Sequence, residues 1–216
     1  MELKKKQVPE YITEKEAMAI ISKCPKERDK LILRTMWETG GRISEVLCLV
    51  PDHIDILNKC ISLPNLKQEQ LKLKDVFLFS ESILCQDLME FADRNGIGGR
   101  DWIFQGGSQR TGKIGQVSPT YIWYLLCASR ERGDSSSSKW RRKEGLSTSL
   151  NIRKKKGEDK NPAWPHLFRH GAAMNIYHRT QRLDAVQHQL GHSTIQTTEV
   201  YAGMTDEERK NIIQKS

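Results

Sequence analysis

Thr39-Gly40-Gly41-Arg42-Ile43-Ser44-Glu45 places an arginine at the start of a helix, directly behind a glycine pair that can end the helix before it. Glu45, three residues beyond Arg42, shares its helical face and can brace the guanidinium. Alone, this pattern fits a surface ion pair. Three further stretches change its meaning. His166-Leu167-Phe168-Arg169-His170 opens a helix behind Pro165, with His166 and Arg169 sharing a polar face while Leu167 and Phe168 point inward. Leu190-Gly191-His192 puts a histidine in a turn between helices. Tyr201 follows, behind Thr197-Thr198-Glu199-Val200.

Each stretch has an ordinary reading: an exposed polar helix face, a capping histidine, a half-buried helix tyrosine. Together they supply the groups that attack a phosphodiester without a metal. Arginine forks neutralise the non-bridging oxygens and stabilise the charge in transit. Histidine moves a proton near neutrality. Tyrosine, whose ordinary pKa is about 10, becomes a nucleophile where cations and a base favour the phenolate. The sequence has no acidic cluster spaced for two metal ions, so a metal-dependent nuclease is poorly supported.

In order and spacing these four stretches resemble the tyrosine recombinase (phage integrase) family, whose catalytic domain carries a T-G-x-R-x-S-E box, an H-x-L-R-H box, an L-G-H segment and T-x-x-Y. The match runs from about Thr13 to Glu208, and Phe168 standing for the usual leucine is an apolar swap. Pro9-Glu10-Tyr11-Ile12-Thr13 is similar to the family's usual entry into that domain. The resemblance implies a site-specific recombinase that integrates, excises or resolves DNA through a covalent 3′-phosphotyrosine, with neither metal nor ATP. It implies Arg42 and Arg169 on the phosphate, His166 assisting the nucleophile Tyr201, and His192 donating a hydrogen bond, with Glu45 and His170 in support. The family also uses a β-hairpin lysine as general acid. Lys67, Lys72 and Lys74 are the candidates, and Leu66-Lys67-Gln68 looks most like the family's hairpin lysine. A homo-tetramer on double-stranded DNA, with a monomer possible in solution, belongs to the same expectation. The alternatives are a type IB topoisomerase-like DNA-relaxing enzyme and a non-catalytic DNA-binding regulator; the L-G-H segment speaks against the first and the complete residue set against the second.

Charge points the same way. The 216 residues carry a net charge of +8, which favours a polyanionic partner. From 139 to 160 there are nine Lys/Arg against three Asp/Glu. Lys139, Arg141, Arg142, Lys143, Arg153, Lys154, Lys155 and Lys156 are candidate DNA contacts in a basic insertion, 134–163, expected to be flexible. The five cysteines lack any CxxC pairing and read as reduced thiols. No stretch approaches the roughly 18 apolar residues of a membrane span. The basic Met1–Lys6 lacks the apolar run of a signal peptide, so a cytoplasmic protein without membrane contact is expected.

The expected fold is α+β and mainly helical: one catalytic domain over 1–216 with a small antiparallel sheet near 53–80, the family's N-terminal core-binding domain being absent. Thr13 and Glu16 form a capping box opening the first helix. A second helix runs from about 26 to 39, a third from 44 to 49. Alternating Ile54, Ile56, Ile61, Leu63, Leu71, Leu73, Val76 and Leu78 predict short strands, with Pro64-Asn65 in or near a turn. A helix is expected from about 82 to 94, a glycine-rich loop over 105–116, a helix from Ser118-Pro119 to near Arg132, and helices at about 166–178, 184–190, 194–201 and 205–213.

Overall fold

The computed structural model describes residues 11–66, 72–107, 114–132, 140–144, 146 and 165–191. Its first half follows the local signals. Thr13 caps α1 (Glu14–Lys23), its hydroxyl accepting from the Glu16 N–H at 3.3 Å while the Glu16 carboxylate accepts from the Thr13 N–H at 2.7 Å. α2 (Glu27–Thr39) buries Leu31, Ile32, Leu33, Met36 and Trp37. It stops where Gly40 enters the left-handed region at φ 64°, a conformation a Cβ disfavours. The short helix α3 (Ile43–Leu47) and a single 3-10 turn at Pro51–His53 lead into the sheet.

β1 (Ile54–Asp55), β2 (Cys60–Asn65) and β3 (Lys72–Phe77) pair antiparallel in that order. Pro64-Asn65, expected near a turn, lies inside β2, opposite Leu73 and Lys72. Proline is tolerated there because β1 pairs only with Cys60 and Ile61, leaving that edge of β2 strand-free at Pro64. The apolar positions of β3 do not share one face. Val76 is fully buried and Lys74 half-buried, while Leu73 and Phe77 are exposed at 50% and 63%. With a side-chain period of two, seating Val76 inward carries Lys74 inward with it.

α4 (Leu84–Arg94) covers the sheet with Leu84, Cys85 and Leu88 and ends at Asn95, as expected. The glycine-rich 105–116 stretch, expected as a loop, contains a two-stranded pairing of β4 (Gln105–Gly107) with β5 (Ile114–Gln116). α5 (Pro119–Cys127) ends earlier than expected, and the chain continues as β6 (Ala128–Arg132), paired antiparallel with β7 (Trp140–Glu144). Residues 140–144 are thus strand, although they fall within the insertion expected to be flexible. The strand is completed by the next segment of the chain, which returns to pair with it, and no glycine or proline marks the end of α5 beforehand.

α6 (Pro165–Thr180) sends Leu167 and Phe168 into the main core with α1, α2, α4 and α5. Its second half forms a smaller cluster with α7 (Leu183–Leu190), through Met174, Ile176, Tyr177, Val186 and Leu190. This packing brings the end of α7 against the glycine turn between α2 and α3. No described helix is long and apolar enough to cross a membrane. Cys24, Cys48, Cys60 and Cys85 are free thiols.

Candidate active site

Two glycine turns meet at the site. A Cβ on Gly40 would lie 2.5 Å from Leu190 Cδ2, and one on Gly41 would lie 2.7 Å from Leu63 Cδ1. The pair is wedged between the end of α7 and strand β2, so it supplies close approach as well as the left-handed turn. Arg42 leaves this wedge as the N-cap of α3. The buried Glu45 carboxylate accepts from the Arg42 backbone N–H at 2.9 Å and from its Nη1 at 2.6 Å. One carboxylate therefore fixes both the helix start and the guanidinium it carries. The bracing role expected for Glu45 is what the structure has.

Arg169 arrives from the first turns of α6 and is only 6% exposed. The polar face expected to hold it together with His166 is not an exposed one at this residue. Arg169 Nη1 donates to the Gly40 carbonyl at 2.6 Å and Nη2 to the Leu190 carbonyl at 2.7 Å. The guanidinium thereby staples the α2–α3 turn to the end of α7. Both acceptors are uncharged, and one belongs to a helix C-terminus, where the peptide dipoles favour a cation.

Lys74 enters from β3. Its Nζ donates to the Gln189 carbonyl at 3.0 Å, and its Cδ would lie 2.8 Å from a Cβ on Gly191. Burial lowers its pKa from 10.5 to about 8, with nearby Glu45 raising it and Arg169 and Arg42 lowering it further. Lys72 is exposed at the end of β3, beside the pair with Asn65. Lys67 lies outside the described residues, as do His192, Tyr201, Lys139, Arg153, Lys154, Lys155 and Lys156. Arg141, Arg142 and Lys143 belong to β7.

His166 is exposed on α6, and its ring centroid stands 6.3 Å from that of His170, one helical turn on. Burial lowers the His170 pKa, and His166 and Arg169 lower it further. His170 therefore favours its neutral form. Of the residues expected from the sequence, the structure brings Arg42, Glu45 and Arg169 together and sets His166 and His170 one turn apart on α6. It adds roles that the boxes alone did not disclose: the Gly40 and Leu190 carbonyls as seats for Arg169, and Gln189 as the seat for Lys74. The period-two pairing of Lys74 with Val76 was the available signal for an inward-facing Lys74. Among the described residues, no group of three or more His, Cys, Asp or Glu is placed to hold a metal ion.

A site with Arg42 and Arg169 beside the bracing carboxylate of Glu45 can receive an anion and stabilise charge that develops on it. Comparison with known proteins agrees with the boxes. The phage integrase family matches residues 4–208, and the chain belongs to that family. It is 24% identical to tyrosine recombinase XerA of Thermococcus onnurineus and 29% to that of Pyrococcus furiosus, over 98% of this chain in each case. A resolvase of Escherichia coli is 23% identical over 90% of the chain and 74% of its own length. The chain spans 64% and 63% of the two XerA proteins. The crystal structure of XerA recombinase superposes with a TM-score of 0.65 at 20% identity, covering 95% of this chain and 66% of that one. The catalytic domain of bacteriophage HP1 integrase superposes with a TM-score of 0.55 at 20% identity, over 89% and 86%. XerH site-specific recombinase bound to its difH substrate gives 0.62 at 22% identity, over 91% and 51%. The mainly helical fold with small antiparallel sheets is therefore that of tyrosine recombinase catalytic domains.

Proposed function

We propose that this domain cleaves and rejoins double-stranded DNA at specific sites, with Tyr201 as nucleophile. The observation that carries the reading is the seating of Arg42 and Arg169 on one pair of glycine turns, in the family whose boxes they occupy. Arg42 and Arg169 hold the non-bridging oxygens of the scissile phosphate, and His192 donates a further hydrogen bond to it. The Tyr201 oxygen attacks phosphorus while its proton passes to His166. The bond from phosphorus to the 5′-oxygen breaks, and Lys67 supplies the proton that makes the 5′-hydroxyl. The phosphotyrosine retains the bond energy, so a second 5′-hydroxyl can reverse the step without ATP. Glu45 holds Arg42 in place, and His170, kept neutral, supports the α6 turn that carries His166 and Arg169.

The solved relative XerH is bound to difH DNA, and the net charge of +8 favours the same kind of partner here. In this reading Lys139, Arg141, Arg142, Lys143, Arg153, Lys154, Lys155 and Lys156 contact the DNA backbone. The domain works as a homo-tetramer on DNA and in the cytoplasm. A suicide duplex, nicked so that the cleaved strand cannot be religated, tests the chemistry. Wild-type protein accumulates a covalent protein–DNA band, and Tyr201→Phe accumulates none. A band with Tyr201→Phe assigns the nucleophile elsewhere.

A further inference from the structure

β3 and the last turn of α7 are joined twice across more than a hundred residues of chain. Lys74 Nζ donates to the Gln189 carbonyl at 3.0 Å, and Gln189 Nε2 donates to the Phe77 carbonyl at 3.0 Å. The stem of Lys74 lies against Gly191, the left-handed residue that ends α7 at φ 65°. The next carbonyl, that of Leu190, is held by Arg169. Two successive carbonyls at the end of one helix are thus gripped by cations from two other elements. The residue that follows Gly191 is His192.

We propose that Lys74 is a positioning residue of the strand-transfer centre. With Arg169 it seats the carbonyl end of α7, and so makes the β2–β3 hairpin set the point from which the chain delivers His192 toward the phosphate. The proposal rests on the strand-transfer reading above and assigns Lys74 no contact with DNA. Its place explains why a lysine faces inward beside Val76. A shorter or apolar side chain at 74 leaves the Gln189 carbonyl without its donor, and the α7 terminus is then held by Arg169 and by the Gln189 side chain.

Lys74→Met keeps the stem against Gly191 and removes the donor, and Lys74→Arg restores a cation. Single-turnover cleavage of the suicide duplex at saturating protein is expected to slow about 10- to 100-fold in Lys74→Met, the scale of a small misplacement of a reacting group. DNA affinity is unchanged, and Lys74→Arg regains much of the rate. In a double-mutant cycle, Lys74→Met costs little further in a His192→Ala background, because both changes remove the same contribution. A duplex with sulfur at the 5′-bridging position, a leaving group needing no proton, does not rescue Lys74→Met. In the free protein, Lys74→Met raises amide hydrogen exchange at 189–193 and leaves α1, α2 and α4 unchanged. Additive losses in the cycle, rescue by the sulfur substrate, or unaltered exchange at 189–193 overturns the positioning role. A wild-type chain that traps no DNA defeats the strand-transfer reading, and the catalytic role of Lys74 falls with it. A wild type that traps DNA no faster than Lys74→Met defeats Lys74 alone.

Discussion

Two charge networks in this molecule are built from similar side chains around a buried carboxylate and seat their cations differently. At the foot of α2, Asp29 is fully buried and accepts from Arg28 Nε at 3.0 Å, Arg28 Nη2 at 2.7 Å and the Tyr121 hydroxyl at 2.6 Å. Arg28 completes its contacts on the Gln105 carbonyl and lies over the Tyr121 ring. One cation meets one anion there, and burial together with Asp29 pushes the Tyr121 hydroxyl up to about 12, so it stays protonated as a donor. At the other end of α2, Arg42, Lys74 and Arg169 gather around Glu45, and Lys74 and Arg169 donate to uncharged carbonyls. The first network cancels its own charge and joins α2 to α5 and β4. The second joins β3, α6 and the end of α7 to the turn between α2 and α3. The two differ in what their cations are seated on: a carboxylate for Arg28, backbone carbonyls for Lys74 and Arg169.

The contrast can be broken from either side. Asp29→Ala leaves the partly buried Arg28 without its counter-charge and the Tyr121 hydroxyl without its acceptor, and is expected to cost about 3–4 kcal/mol of stability. Cleavage of the suicide duplex per folded molecule should be unaltered. Denaturant unfolding read beside the trapping assay separates the two, and a loss of chemistry without a loss of stability would make the Asp29 network part of the site. Arg42→Ala should do the reverse, costing about 3–4 kcal/mol of transition-state stabilisation, read as single-turnover rate, with a much smaller change in denaturant midpoint. A variant that unfolds as readily as Asp29→Ala would place Arg42 among the braces.

The smallest effect is a pH dependence. The Lys74 pKa falls from 10.5 to about 8 on folding. Between those values the unfolded chain binds the proton more tightly than the folded one, so this group raises unfolding free energy as pH increases. The cost of burying the ammonium is greatest below pH 8 and fades toward 10.5. The unfolding free energy of wild type minus that of Lys74→Met should therefore rise between those pH values in urea melts, and a flat difference breaks the assignment of Lys74 to a desolvated, cation-flanked place.

Much of the first half of the fold was legible because its signals are local. Thr13 and Glu16 mark the start of α1, Gly40 the end of α2 and Asn95 the end of α4, since caps and left-handed turns are chosen within a few residues. Strand signals failed where the partner mattered. Pro64 sits inside β2 because β1 is too short to need its N–H, and β6 forms because Trp140–Glu144 returns to pair with it. In both cases the pairing, rather than the residue's own propensity, decides the outcome.

For the site, the sequence by itself determined which side chains belong together: Arg42 with Glu45 at one helix start, and His166, Arg169 and His170 within two turns of another. Helical spacing and the order of the boxes suffice for that. Only the tertiary structure decided what those charges rest on. The clustering of α6 and α7 through Met174, Val186 and their neighbours brings Leu190 against Gly40. That contact puts two backbone carbonyls within reach of Arg169 and a third within reach of Lys74. Backbone carbonyls are the same at every residue, so no sequence pattern can say which of them a distant cation will find; packing chooses, and here it chose those of Gly40, Gln189 and Leu190.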